Sequence, residues 1–156
     1  MAIHKSSFDW HGLTLSHTTV LEGADLAPNW ALVRVRTALE QTRGSTSGNP
    51  SDGVMAFDAP LSRITLTGAL LPYDIAGNVK AVVTAGGLEL TASASFGQLL
   101  MGFAVSIVGV TVLVQTGALG FTWLWSLVGI VGLVTALHVW QTANVLRRIT
   151  QTGTTL

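Results

Sequence analysis

No cysteine occurs in the 156 residues. Disulfides, thiolate metal sites and cysteine nucleophiles are therefore excluded, although the redox compartment is not reported by this absence. Charge is also scarce: 10% of residues are charged, against about 25% in an ordinary soluble domain. It is unevenly placed as well. Of the eight basic and eight acidic residues, only Arg147 and Arg148 lie beyond Glu89. No cluster of Lys and Arg is present to neutralise phosphates, so nucleic acid is not an expected partner. Catalytic signatures are missing too. The chain holds no G-x-S-x-G elbow, Walker A loop, G-x-G-x-x-G fingerprint or H-E-x-x-H, and its acids are scattered singly. The reading is of a protein that is not an enzyme and takes no cofactor. The first residues, "MAIHKSSFDWHGLTL", lack the apolar core of a signal peptide and the Arg-rich pattern of a transit peptide.

What is abundant is apolar surface. Hydrophobic residues make up 49% of the chain, and the mean hydropathy is +0.54. From Phe96 to Trp140 the run is almost unbroken. One bilayer crossing takes about 20 helical residues, and this run is about twice that, so two crossings are expected. The break is "QTGALG", Gln115 to Gly120, which suits a tight turn. Helix one is expected over about 96–114 and helix two over about 122–146. A buried hairpin of a soluble protein is the alternative, but such helices show a polar face, and these have almost none.

Arg147 and Arg148 follow helix two directly, and the turn carries no positive charge. The positive-inside rule then puts both termini in the cytoplasm, with the hairpin in the cell's inner (plasma) membrane. Trp123 and Trp125 at one end of helix two and Trp140 near the other match an aromatic belt at both interfaces. Small residues recur at helical spacings: Gly102, Ser106 and Gly109 on helix one, Gly129, Gly132 and Ala136 on helix two. Such rows let backbones approach closely in lipid. Mutual packing within the hairpin is the expected use, and contact with another subunit the alternative. His138, with Gln141 and Asn144 at spacings of three, is the one ionisable residue inside the run. It is read as lying wet in the inner headgroup region, with haem or quinone binding as the cofactor alternative.

Residues 1–93 read as a small β-rich α+β cytoplasmic domain. "LTLSHTTV" (Leu13 to Val20) and "RITLTGALL" (Arg63 to Leu71) alternate as strands do, and "NVKAVVTA" and "LELTASA" flank a Gly86-Gly87 hairpin signal. "DLAPNWALVRVRTALEQTRG" predicts a helix, capped by Asp25 or Asn29, with Pro28 in its first turn, an apolar stripe of Leu32, Val35 and Leu39, and Gly44 at its end. A strand through "WALVRVRT" is the alternative. Residues 44–53, "GSTSGNPSDG", predict a mobile loop. His4, His11 and His17 with Asp9 form the one histidine-rich segment. Zinc needs three or four ligands, nothing elsewhere completes a set, and these are expected to be surface histidines with no metal. Residues 147–156 are expected to be a short cytoplasmic tail.

The function expected is a non-catalytic membrane subunit that anchors or scaffolds a larger complex. Its partners would be other membrane subunits, copies of itself and the lipid bilayer. The competing reading is a homo-oligomeric pore, lined by Gln98, Ser106 and Gln115. A third is a haem or quinone anchor through His138.

Overall fold

The computed structural model describes residues 3–22, 27–59, 75–117 and 120–154. The expected strand at Arg63 to Leu71 and the proposed cap Asp25 lie outside them. So do the side chains of His4 and Gln98 and the surroundings of Gly102.

Among the described residues six strands form one sheet: β1 Ile3–His11, β2 Thr14–Glu22, β3 Ser45–Ser47, β4 Val54–Ala59, β5 Ile75–Thr84 and β6 Gly87–Ser95. Their spatial order is β1-β2-β6-β5-β4-β3, and every pairing is antiparallel. Three helices accompany it: α1 Pro28–Gln41, α2 Gly97–Gln115 and α3 Phe121–Thr154. The fold is thus α+β and rich in β-structure. The chain divides into two compact units, residues 1–95 with 142–156, and residues 96–141.

In the first unit the period-2 alternation of the strands decides which side chains are inside. Leu15, His17, Thr19 and Leu21 of β2 are buried, as are Leu88, Leu90, Ala92 and Ala94 of β6. The residues between them are not. α1 buries Ala31, Leu32, Val35 and Leu39, a helical spacing that includes the expected stripe and settles the helix over the strand alternative. Its N-cap is Ala27, with no side-chain bond, rather than Asp25 or Asn29. Asn29 falls inside the helix, past the position where a side chain can reach the free N–H groups. At the other end the left-handed residue is Arg43. Gly44 instead permits a close approach, because a Cβ there would meet the Asp58 carbonyl at 2.9 Å.

Two turns differ from expectation in detail. The β5–β6 loop is Ala85-Gly86, since Thr84 pairs with Gly87. Gly87 opens β6 at φ 131°, against the Leu21 carbonyl, where only glycine fits. Residues 44–53 are not one irregular loop. They contain β3, paired with β4, and a 3-10 turn at Pro50–Asp52 whose Ser51 amide donates to Asn49 Oδ1 at 3.1 Å.

The C-terminal end of α3 completes this core. Thr142, Leu146, Ile149, Thr150, Gly153 and Thr154 are buried, at i, i+4, i+7, i+8, i+11 and i+12 along one helix face. Gly153 sits so close to α1 and β6 that an added Cβ would strike Leu90 Cδ2 and come within 2.9 Å of Val35 Cγ2. The expected polar tail is therefore helix and core as far as Thr154. Four of the six buried residues are threonine or glycine, so hydropathy marks the face only weakly.

The second unit holds α2, the turn and the first two-thirds of α3. One helix among the described residues, α3, is long and apolar enough to cross a membrane by length and composition, with none of its apolar window buried. The expectation was two. In α2 the described apolar stretch is Phe103–Gln115, too short to meet that description.

Candidate functional site

Among the described residues no group of three or more His, Cys, Asp or Glu is placed to hold a metal. The pairing register explains this for the N-terminal histidines. His11 lies opposite Thr14 and is exposed, on the same face of β1 as Asp9. His17 lies opposite Phe8, on the other face of the sheet.

His17 is the correction of most consequence. It is not a surface histidine but is 1% exposed in the core. Its Nδ1 lies 2.7 Å from Thr150 Oγ1, across 133 residues of sequence. Thr150 Oγ1 also lies 3.2 Å from the Leu146 carbonyl and 3.0 Å from that of Arg147. The arrangement that satisfies all these groups has Nδ1–H donating to the hydroxyl, which donates onward to its own helix backbone. The Phe8 ring packs against the imidazole at 4.3 Å between centroids, and the Arg147 guanidinium lies 5.5 Å from the Phe8 ring centre. Burial, and secondarily the positive charge of Arg147, hold the imidazole below its ordinary pKa. His17 thus joins β1, β2 and the end of α3 as a neutral hydrogen-bonding group. The groups around it are Thr150, Phe8 and Arg147, an arrangement suited to a structural role. The signal was present in the sequence: His17 has the same parity as Leu15 and Leu21.

His138 is half-buried on α3, with its ring edge-on to Phe96 at 5.5 Å. Gln141 and Asn144 follow on α3, both half-buried. Trp123, Trp125 and Trp140 are 60%, 66% and 60% exposed. Arg147 and Arg148 are exposed as well.

The small-residue rows do not do what was expected of them. A Cβ added at Gly109, Gly129 or Gly132 meets nothing within 4 Å, and Ser106 and Ala136 are exposed. The shielded side of α2 is instead Phe103, Ile107, Val110 and Val114, and that of α3 is Leu124, Leu127, Val131 and Val134. Bulky side chains occupy the protected faces of the hairpin. Periodicity located the small-residue row on each helix but could not say which face was inside.

Comparison with protein-family models, with curated proteins and with solved structures finds no match to this chain.

Proposed function

We propose that this chain is a non-catalytic integral membrane subunit, held in the cell's inner membrane by a two-helix hairpin and presenting its sheet domain to a partner complex on the cytoplasmic side. The observation that carries the reading is one of parity. Residues 1–95 and 142–156 share a single core, so they lie on the same side of any bilayer that α3 crosses. A single crossing would separate them. A second crossing is required between Phe96 and Gly120, and α2, with 19 residues, reaches about 28 Å at 1.5 Å per residue. That matches a hydrocarbon core of about 30 Å.

Arg147 and Arg148 support a cytoplasmic location for both termini, because no Lys or Arg lies in the turn between the helices. β6 leads directly into Phe96, and α3 continues from the apolar run to Thr154. These short connections support docking or scaffolding over long reach.

The test is purification from native membranes in a mild detergent, with mass spectrometry of everything that remains bound. Reproducible foreign subunits are the expected result. A single-component ring would overturn the reading and favour a homo-oligomeric pore. Extraction from the membrane by alkaline carbonate would overturn the membrane assignment itself.

A further inference from the structure

We infer that the tip of the β1–β2 hairpin, around Trp10 and Leu13, is a lipid-binding element that rests in the headgroup layer of the membrane. This inference rests on the membrane reading proposed above. Three observations within the sheet domain carry it. The first is position. Thr14, the residue after the hairpin tip, lies directly opposite Ser95, the last residue of β6. Ser95 is followed at once by Phe96 and the apolar run. The tip is therefore at the end of the sheet from which the chain departs for the bilayer.

The second is chemistry. Trp10 and Leu13 are each 52% exposed. The tip is a two-residue turn, closed by the His11–Thr14 pair, with Gly12 at φ 61° and Leu13 in its second position. That position ordinarily takes Gly, Asn, Asp or Ser in water. A leucine there, beside a tryptophan on the strand, presents the aliphatic and amphipathic pair that favours a membrane interface. Its neighbours add little charge: Asp9 is the nearest formal charge, and His11 is exposed.

The third is contrast. At the far end of the sheet the β5–β6 turn is Ala85-Gly86, small and without an aromatic. Val82 and Val83 are exposed near it, but single aliphatics on a surface are ordinary. The two ends are separated by the nine residues of β6, about 30 Å at 3.3 Å per residue. Of these two hairpin turns, only β1–β2 has a tryptophan beside it.

The chain's lack of cysteine makes a direct test possible. Spin labels are placed one at a time at Leu13→Cys, at Ala85→Cys as the aqueous reference and at Leu133→Cys as the lipid reference. The full chain is reconstituted in phosphatidylcholine vesicles containing phosphatidylglycerol. Collision rates with oxygen, which concentrates in lipid, and with a nickel chelate, which stays in water, then report depth. The expected result is a Leu133 label deep in lipid, an Ala85 label in water, and a Leu13 label within about 10 Å of the headgroup/acyl boundary. His11→Cys, the exposed neighbour, serves as the second variant and should agree. A Leu13 label as open to nickel as Ala85, with Leu133 still deep, overturns this inference and leaves the membrane reading standing. A Leu13 label shielded from both reagents also overturns it, because the tip would then be covered by protein. A Leu133 label open to nickel overturns the membrane reading and this inference with it.

Discussion

His17 concentrates the physics of the core in one side chain. The unfolded chain binds a proton at the ordinary histidine value of 6.5, while the buried imidazole binds one only at lower pH. The folded state therefore keeps its full advantage above 6.5 and loses it as pH falls toward the folded pKa. The slope is at most about 1.4 kcal/mol per pH unit. We expect the denaturation midpoint of the wild type to fall between about pH 7 and pH 5, and the midpoint of His17→Leu to fall less. Parallel curves would show that His17 is not the group responsible. At Gly153 two effects oppose each other. Alanine would gain about 1 kcal/mol of helix propensity, but its Cβ would collide with Leu90 and crowd Val35, both at or below 1% exposure. Overpacking of about 1–3 kcal/mol wins, and Gly153→Ala should lower stability by about 1 kcal/mol. A rise in its unfolding midpoint would contradict this packing.

At the scale of elements, α3 is apolar over its first part and buries a face in the sheet domain over its last. Its 34 residues reach about 51 Å at 1.5 Å per residue, more than the crossing proposed above would need. Within the hairpin the protected faces are the bulky ones. Ile107→Ala should therefore weaken the hairpin by about 1 kcal/mol, whereas Gly132→Ala, with open space where its methyl would go, should stay within about 0.5 kcal/mol of wild type. Titration from mild detergent into dodecyl sulfate, followed by helical circular dichroism, reads both. A larger effect at Gly132 than at Ile107 would reverse the assignment of faces.

For the whole molecule, the last residues belong to the core rather than to a tail. A chain ending at Arg148 loses Ile149, Thr150, Gly153 and Thr154 from the interior. The loss should exceed about 4 kcal/mol, a large part of what holds a small domain folded. Limited proteolysis in vesicles is the check: the truncated domain should be cut rapidly while α2 and α3 remain protected. Equal resistance in the two chains would restore residues 149–156 to the status of a free tail.

Local pattern carried much of this. Strand alternation placed β2, β5 and β6, and the spacing of Leu32, Val35 and Leu39 placed α1. The long uncharged run marked the apolar helices, because each of these signals lies within a few residues of chain. The sequence by itself determined β2, β5, β6, α1 and the long apolar run, but not β1, β3 or β4, whose local pattern is weak or reads as loop. Tertiary structure alone decided three things. It made His17 a core residue, through a partner that lies 133 residues away. It turned Thr142 to Thr154 into the cover of the sheet, a role that Leu146 and Ile149 among threonines and a glycine only faintly advertise. It also chose the bulky rows over the glycine rows for the protected faces of the hairpin. Each is a choice between faces of an element, and a face is assigned only by what packs against it.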